Sequence, residues 1–219
     1  MPRAVIFDVD GTLVDSVDQH AQAWKDAFEK FGKQPSFADV RSQIGKGADQ
    51  LMPVFLSQDE LRRFGPELDR FRGEHFKREH LPAVRGFPRV RELVQRLRAD
   101  GKKIALASSA KKDELEHYKK LANVTDLIDY ETSADDVARS KPYPDVFCAA
   151  LAGLGLPAED AIVVGDSPYD VQAAARAGLR TVALLCGGFP RAQLESAGAA
   201  AIYDDPEDLL AHLASSPLG

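Results

Sequence analysis

Two pairs of aspartates, each at the end of an apolar run, are the residues best suited to chemistry in this 219-residue sequence. Asp8 and Asp10 belong to the segment DVDGT, and Asp166 and Asp170 belong to GDSPYD. If the four carboxylates share one site, each like-charge contact at about 4 Å costs about 4 kcal/mol at an effective dielectric constant of 20. Because no histidine or cysteine lies beside either pair, Mg²⁺, a hard cation that prefers oxygen ligands, is the predicted counter-charge.

A second group of residues is suited to holding an anion. Ser108 and Ser109 follow the apolar run IALA and precede a predicted helix, so their hydroxyl and backbone N–H groups form a possible anion cradle. Lys141, in the segment SKP, adds a positive point charge ahead of another predicted helix. Carboxylates with a metal on one side and these donors on the other suit a phosphoryl group, whose oxygens must be neutralised during transfer. The sequence therefore predicts phosphoryl transfer.

A predicted α/β fold would bring these residues together. Apolar, β-branched runs alternate with amphipathic helices in the second half of the chain, which is typical of a doubly wound parallel sheet. The predicted strands are Ala4–Asp8, Lys103–Ala107, Leu127–Tyr130, Ala161–Gly165, Arg180–Leu184 and Ala200–Tyr203. The predicted helices between them, each followed by or ending near a glycine, are Pro88–Asp100, Asp145–Leu154 and Pro168–Ala177. Because parallel strands end at one edge of the sheet, the polar residues that follow them are expected to converge there.

The segment from about Ser16 to Pro82 interrupts this alternation. Asp8 and Ser108 lie 100 residues apart, whereas a βαβ unit takes about 30 residues. The excess predicts a helical insertion with hinges at Val14–Val17 and Leu81–Phe87. Its predicted helices are Val17–Phe31, Phe37–Ile44, Ala48–Phe55 and Gln58–Arg78.

Composition excludes several classes of protein. With 44% hydrophobic and 28% charged residues, the chain has the composition of a packed protein rather than a disordered one. A net charge of −6 argues against nucleic acid as a partner, because non-specific binding needs a dense basic face. No apolar run is long enough for a membrane span, and MPRAVIF reaches Asp8 too early for a secretory leader, so a cytoplasmic location is expected. Cys148 and Cys186 lack metal-ligand spacing and are interpreted as buried small hydrophobes.

The motifs, taken in order, resemble those of a known superfamily. DVDGT at 8–12, Ser108 after a strand, Lys141 in SKPYPD and GDSPYD at 165–170 are similar to the four motifs of the haloacid dehalogenase (HAD) superfamily of phosphohydrolases. A helical insertion between the first two motifs resembles subfamily IA, which includes phosphoglycolate phosphatases and β-phosphoglucomutases.

The resemblance implies both an architecture and an activity. It implies a Rossmann-like core domain of residues 1–16 and 83–219, with an inserted α-helical cap domain of residues 17–82. The implied enzyme is a Mg²⁺-dependent phosphatase that acts on a small phosphorylated metabolite through an aspartyl-phosphate. Either a monomer or a homodimer fits the sequence.

The resemblance also implies roles for individual catalytic residues. Asp8 would be the nucleophile, and Asp10 would protonate the leaving oxygen and then deprotonate the attacking water. Ser108 would donate a hydrogen bond to a phosphoryl oxygen, and Lys141 would link Asp8 to the phosphate. Asp10 also distinguishes the chain from the dehalogenase branch, which lacks this second aspartate.

The metal-binding roles follow the same resemblance. Asp166 would bind Mg²⁺ together with Asp8 and the backbone carbonyl of Asp10. Asp170 would lie behind these ligands and orient Lys141 or a metal-bound water. Taken alone, Asp170 is more often a first-turn helix residue that the helix dipole favours, and Asp166, four positions earlier, favours the functional interpretation.

Residues of the insertion are harder to assign. His20 is interpreted either as a half-buried packing residue or, from its similarity to the β-phosphoglucomutase-like branch, as a residue near the domain cleft. Lys46, in a glycine-flanked loop, is either an exposed lysine or a substrate contact. Asp15 and Ser16 are interpreted as hinge and helix N-cap. The remaining histidines receive no role: His75, His80, His117 and His212.

Two other functions fit part of the pattern. A sugar phosphomutase uses the same residues, and His20 favours it, but the mutase branch typically has Glu-Asp where this chain has Gly165-Asp166. A receiver-like signalling module also combines acidic residues, Mg²⁺ and a lysine around a phosphorylated aspartate. Asp10 and the helical insertion argue against that module and in favour of turnover.

Overall fold

The computed structural model describes residues 1–219 and contains a six-stranded parallel sheet. The spatial order of its strands is β5-β4-β1-β6-β7-β8. The six strands are β1 (Ala4–Phe7), β4 (Lys103–Ala107), β5 (Tyr130–Thr132), β6 (Ala161–Gly165), β7 (Arg180–Leu184) and β8 (Ala201–Tyr203). The first strand is central and pairs in parallel with β4 and β6, so the segments that follow these three strands end side by side. The predicted α/β fold is confirmed.

Helices cover both faces of this sheet. The helices of this part of the chain are α5 (Val90–Ala99), α6 (Lys112–Leu121), α7 (Asp145–Leu154), α8 (Pro168–Arg176), α9 (Arg191–Ala197) and α10 (Pro206–Ala211). Side chains of β1 alternate between the two faces: Val5 and Phe7 join a large apolar cluster, and Ala4 and Ile6 join a second one. Burial on both faces explains why these strands are apolar throughout rather than alternating.

The segment predicted to be an insertion is helical. It contains α1 (Val17–Lys30), α2 (Phe37–Arg41), α3 (Ala48–Phe55) and α4 (Gln58–His75). Their apolar faces form a separate cluster that includes Trp24, Phe28, Leu51 and Leu68. Helix α4 begins with a capping box, in which Ser57 and Glu60 satisfy backbone N–H groups at the helix start. None of the helices has the length and apolar character required to cross a bilayer.

The two connections to the insertion pair with each other. Strand β2 (Val14–Asp15) runs antiparallel to β3 (Arg85–Gly86), which joins the start and the end of the insertion in a short ribbon. The sequence predicted hinges at these positions but no pairing, because two-residue strands carry no periodic signal.

Three local expectations were wrong, and the prediction for Ser16 holds in part. The fifth strand begins at Tyr130 rather than Leu127, because 125–127 form a helical turn. Ser16 is the N-cap residue of α1, as predicted, but its side chain makes no capping hydrogen bond, since its hydroxyl donates to Asp10 instead. Cys148 is exposed and Cys186 is partly buried, so neither is the fully buried hydrophobe that was expected.

Candidate active site

Two aspartates and a threonine meet where β1 and β6 end. Asp8 continues the first strand by donating its backbone N–H to the Val164 carbonyl at 2.8 Å, and Asp166 directly follows β6. The hydroxyl of Thr12 lies between the two carboxylates, 3.1 Å from Asp166 Oδ1 and 3.4 Å from Asp8 Oδ2. Both aspartates are almost completely buried. The sheet topology therefore brings together residues 158 positions apart in the sequence.

Lys141 supplies the positive charge of this cluster. Its side chain is 1% exposed, and its ammonium forms ion pairs with Asp8 Oδ1 and, at 2.8 Å, with Asp170 Oδ1. The ammonium also donates to the Ala107 carbonyl at 2.9 Å, at the end of β4. These three partners fix the lysine against the nucleophile candidate, and burial of its aliphatic stem leaves it little freedom.

Asp170 has two functions in the structure. Its Oδ2 accepts hydrogen bonds from the Ser167 backbone N–H at 3.0 Å and from the Ser167 hydroxyl at 2.6 Å, which completes the capping box of α8. Its Oδ1 faces Lys141. The helix-capping interpretation and the lysine-orienting interpretation of this residue therefore both describe its contacts.

The ionisation of the cluster reflects a shortage of positive charge. Burial raises the pKa of Asp8 to about 7, because Lys141 only partly offsets the desolvation and the neighbouring Asp170 and Asp10. Burial and the charges of Asp170 and Asp8 raise the pKa of Asp166. Burial disfavours the charged form of Lys141, but the two carboxylates beside it outweigh burial and raise its pKa.

These observations test whether a divalent cation fits the cluster. Oxygens of Asp8, Asp166 and Asp170 lie within 4.8 Å of one another, and a single ammonium faces the three carboxylates. Two negative charges are left uncompensated, and the donors are oxygens only, which is the set that a hard dication prefers. The residues therefore fit a divalent cation, with Asp8 and Asp166 as the carboxylates not engaged in helix capping.

Asp10 is held by residues of the first inserted helix. Its Oδ1 accepts a hydrogen bond from the Ser16 hydroxyl at 2.6 Å and lies 3.0 Å from His20 Nε2. Burial raises the pKa of Asp10, but His20 and Ser16 outweigh burial, so the pKa lies below its ordinary value. The His20 ring stacks on Phe76 with 4.0 Å between ring centroids, and its Nε2 also lies 2.9 Å from the Tyr118 hydroxyl. His20 therefore packs against Phe76 and also contacts Asp10 at the cleft, so both interpretations of this residue describe its contacts.

The two serines after β4 have separate partners. Ser108 is fully buried, and its hydroxyl accepts a hydrogen bond from the Ala110 backbone N–H at 3.0 Å. Ser109 lines the same cavity as Asp8 and donates to the Gly45 carbonyl at 3.4 Å. Neither hydroxyl caps α6, whose N-cap residue is Lys111.

The loop between α2 and α3 reaches the sheet edge. Lys46 lines the cavity with Asp8, its ammonium lies 4.6 Å from the centroid of the Tyr169 ring, and burial lowers its pKa. Asp49 accepts hydrogen bonds from the backbone N–H and the hydroxyl of Ser140. Because Ser140 precedes Lys141, the start of α3 contacts the segment that carries Lys141.

The far side of the cavity is formed by residues that the sequence did not single out. Trp24, Arg72 and Glu114 line it together with Asp8 and Asp10. The Arg72 guanidinium lies 4.9 Å from the Trp24 ring centroid and 4.0 Å from Glu114 Oε1. Arg72 Nε and Glu114 Oε1 are buried without hydrogen-bond partners. This side of the cavity therefore holds a buried cation and a buried carboxylate whose hydrogen-bonding capacity is not filled by protein groups.

The sequence-predicted residues thus gather in one place. Lys141 pairs directly with Asp8 and Asp170, and Asp166 lies within 4.8 Å of both carboxylates. Asp10, Ser109, His20 and Lys46 line the adjoining cavity. Sequence reasoning missed Thr12, although its place in DVDGT was a usable signal. It also missed Tyr118, Arg72 and Glu114, which lie in ordinary helical patterns that carry no local signal of a site.

A parallel α/β sheet whose strand ends gather these carboxylates around one lysine defines a hydrolase of the class expected from the motifs. The chain belongs to the haloacid dehalogenase-like hydrolase family, whose model matches residues 5–184. The expected family is therefore confirmed.

Similarity to individual proteins extends over nearly the whole chain. A phosphoglycolate phosphatase from Rhodospirillum rubrum is 30% identical over 214 residues, which cover 94% of this chain and 88% of that protein. The crystal structure of a hydrolase from Pseudomonas syringae superposes with a TM-score of 0.88 at 31% identity, covering 97% of this chain and 98% of that one. SUPPRESSOR OF QUENCHING 1, a chloroplastic protein of Arabidopsis thaliana, is 33% identical over 206 residues. The match covers 92% of this chain but only 19% of that protein.

Proposed function

We propose that this chain is a Mg²⁺-dependent phosphatase that hydrolyses a small phosphate monoester through a phosphoryl group transferred to Asp8. The observation that carries the proposal is the buried pairing of Asp8 with Lys141, next to Asp166, at the end of the central strand. Phosphatases among the relatives support the same reaction class. The relative named as a phosphoglycolate phosphatase favours a small phosphorylated molecule as the substrate.

The residues around Asp8 perform the first step. Lys141 holds Asp8 Oδ1 and, with its charge facing the reacting group, stabilises negative charge on the phosphoryl oxygens. Asp8 Oδ2, which only the Thr12 hydroxyl contacts at 3.4 Å, is the oxygen left to attack phosphorus. Ser108 and Ser109 provide donors on the anion side. Mg²⁺ bound by Asp8, Asp166 and the Asp10 carbonyl would neutralise charge on the transferring oxygens.

Asp10 performs the proton transfers. It lines the cavity beside Asp8, where the protonated Asp10 gives its proton to the leaving oxygen and regains one from the water that attacks the phosphoaspartate. The lowered pKa of Asp10 favours the first of these transfers. Such acid–base catalysis contributes about 10²–10⁴-fold in rate. The hydrogen bonds from Ser16 and His20 fix the carboxylate in place, so that it faces the leaving group rather than solvent.

The insertion acts as a cap. Residues 17–82 form this cap, and residues 1–16 and 83–219 form the core that carries the catalytic aspartates. Trp24, Arg72 and Lys46 come from the cap and line the cavity, so they contact the leaving group and exclude water. Cys148 and Cys186 are unpaired, which fits the reducing conditions of the cytoplasm.

Hydrolysis is favoured over sugar phosphomutase activity by the space around Gly165. A Cβ at this position would lie 2.7 Å from both Cβ and Cγ of Asp170. The glutamate typical of the mutase branch therefore cannot be placed here while Asp170 caps α8. Incubation with β-glucose 1-phosphate tests the point: release of inorganic phosphate alone supports hydrolysis, and formation of glucose 6-phosphate contradicts it.

Substitution of the nucleophile tests the proposal directly. Asp8→Asn should abolish turnover of p-nitrophenyl phosphate, whereas Asp59→Asn, at a carboxylate whose side chain is 88% exposed, should leave it unchanged. Excess EDTA should also abolish turnover, and added Mg²⁺ should restore it. Near wild-type activity of Asp8→Asn would contradict Asp8 as the nucleophile. Activity that excess EDTA leaves unchanged would contradict the requirement for a metal ion.

A further inference from the structure

A second cluster of metal-ligating side chains lies outside the active site. Asp26, on α1, and His75, at the end of α4, are joined by His80 from the helical turn that follows α4. Asp26 Oδ2 lies 2.9 Å from His75 Nε2 and 3.4 Å from His80 Nε2. One ligand atom from each residue falls within 4.8 Å of the others. All three side chains are partly buried, with 17–29% of their surface exposed.

Neighbouring groups orient this cluster. The Gln22 amide donates to Asp26 Oδ1 at 2.7 Å, which turns Oδ2 toward the two histidines. The His75 ring stacks on Phe71, with 5.3 Å between ring centroids and an interplanar angle of 11°. His80 Nε2 is sealed from solvent and makes no hydrogen bond. Such support of the ligands by surrounding groups is what metal sites require.

We propose that Asp26, His75 and His80 form a second cation site, which takes a borderline transition-metal dication such as Zn²⁺ rather than Mg²⁺. Two imidazoles and one carboxylate are a donor set that Zn²⁺ prefers, and Mg²⁺ does not. Ligands placed about 2.1 Å from a tetrahedral ion lie about 3.4 Å from one another. The observed separations need only small side-chain adjustments to reach this value, and the fourth position is left to water.

The location of the cluster gives the ion a structural consequence. Asp26 lies on the first helix of the insertion, and His80 lies on the segment that leads back to the sheet. An ion at this position would fasten α1 to the second connection of the insertion. The proposed site shares no residue with the carboxylate cluster at the end of β1.

Arg78 is a cation beside the proposed site. Its Nη2 lies 3.4 Å from His75 Nδ1, but its side chain is 64% exposed, so it can move into solvent. Metal binding through His75 Nε2 places a proton on Nδ1, which then no longer accepts from Arg78. Removal of the Arg78 charge should therefore strengthen binding, although Arg78 provides no ligand.

Zn²⁺ binding to the full chain, measured by competition with a chromophoric chelator in excess Mg²⁺, tests the proposal. Wild type should bind one Zn²⁺ that His80→Ala and Asp26→Asn each weaken at least 10-fold. His117→Ala, at an exposed histidine of α6, should bind like wild type, and Arg78→Gln should bind more tightly. Co²⁺ should give the visible absorption of a tetrahedral site in wild type and lose it in His80→Ala.

Because the experiment measures Zn²⁺ affinity and not turnover, its outcome does not depend on whether the phosphatase proposal is correct. Equal Zn²⁺ affinity in wild type and His80→Ala would overturn the site, whatever the protein hydrolyses. If His80→Ala does not fold, His80→Gln and Asp26→Asn provide the same comparison. Weaker binding in His117→Ala alone would also overturn it, since the ion would then lie on α6.

Discussion

At the residue scale, the ionised form of Asp8 lowers the folding stability of the protein, because its carboxylate is buried beside other carboxylates. Its carboxylate is 5% exposed and lies beside Lys141, Asp166 and Asp170. One ammonium does not balance the three carboxylates, so burial raises the pKa of Asp8 to about 7. Without further positive charge, Asp8 is therefore only about half ionised near neutral pH.

Asp8→Asn should stabilise the metal-free protein above neutral pH. Because the pKa of Asp8 is raised on folding, the folded state binds the proton more tightly than the unfolded state. Stability should then fall as pH rises from about 4 to about 7, and the variant should escape this loss. At pH 8 in EDTA we expect Asp8→Asn to be of the order of 2 kcal/mol more stable than wild type. Urea unfolding at pH 5 and pH 8 measures the difference, which should be clearly smaller at pH 5, because only part of the loss that begins near pH 4 has occurred there. A variant less stable than wild type at pH 8 would contradict the charge imbalance.

His20→Ala should lower kcat with little change in KM. His20 positions Asp10 and contacts no reacting atom in this account, so its loss should cost about 10- to 100-fold of the 10²–10⁴-fold that an acid–base residue contributes. His20→Gln, whose amide can still donate to Asp10, should recover part of the rate in steady-state assays. The control is His117→Ala. Equal activity in wild type and His20→Ala would show that the 3.0 Å contact with Asp10 has no catalytic effect.

At the element scale, helix starts decide how the polar residues are directed. Ser167 and Asp170 cap α8, and the second oxygen of Asp170 is thereby aimed at Lys141. Elsewhere, Ser57 and Glu60 cap α4, the longest inserted helix, which carries Arg72 to the cavity. A cap therefore serves both helix stability and the direction of a functional side chain.

Ser57→Ala should destabilise the insertion. Loss of an N-cap hydroxyl typically costs about 1 kcal/mol, which corresponds to a fall in Tm of about 2–4 °C for a protein of this size. Ser196→Ala, at an exposed serine within α9, is the matched control and should not lower the Tm. Differential scanning calorimetry measures both, and an unchanged Tm for Ser57→Ala would contradict the capping role.

The elements were predictable wherever the pattern was periodic. The strand β1, with its continuous apolar run, and the helices ending at Gly155 and Gly178 follow local rules. The ribbon of β2 and β3 was not predictable, since its pairing depends on how the insertion closes on itself. The side chain of Ser16 makes no capping hydrogen bond because its hydroxyl donates to Asp10, a tertiary contact that no local pattern indicates.

At the scale of the whole molecule, polar contacts connect the insertion to the sheet edge. Arg41 donates to the carbonyls of Gly187 and Gly188 at 3.3 and 3.4 Å, and the Tyr169 hydroxyl donates to the Ser42 carbonyl at 2.6 Å. Together with the pair of Asp49 and Ser140, these contacts hold the inserted loop over the cavity. They define the arrangement in which Lys46 lies near Asp8.

Asp49→Ala should weaken substrate binding. The variant loses both hydrogen bonds to Ser140, so the loop closes less often and KM should rise several-fold, with a smaller effect on kcat. Asp59→Ala, at an exposed carboxylate of α4, is the matched control. Unaltered kinetics in Asp49→Ala would show that this contact does not hold the loop closed.

The sequence predicts the core of the site better than its surroundings. Asp8, Asp166 and Lys141 follow strands, and the parallel topology alone brings strand ends together. Arg72, Glu114 and Tyr118 converge only because the insertion packs across the sheet edge at a particular angle, which no local pattern encodes. For the same reason His75, His80 and Asp26 received no role. Asp26 lies 49 residues or more from the two histidines, and the histidines lie five positions apart across an irregular helical turn.

The central claim is that a phosphoryl group is transferred to Asp8. Trapping of the aspartyl-phosphate with borohydride during turnover tests this claim most directly. Reduction of an aspartyl-phosphate converts the aspartate to homoserine, which peptide mass spectrometry locates. We predict homoserine at position 8 in substrate-treated wild type, and none without substrate or in Asp8→Asn. Homoserine at Asp10 or Asp166, or none in an enzyme that is turning over, would contradict the account.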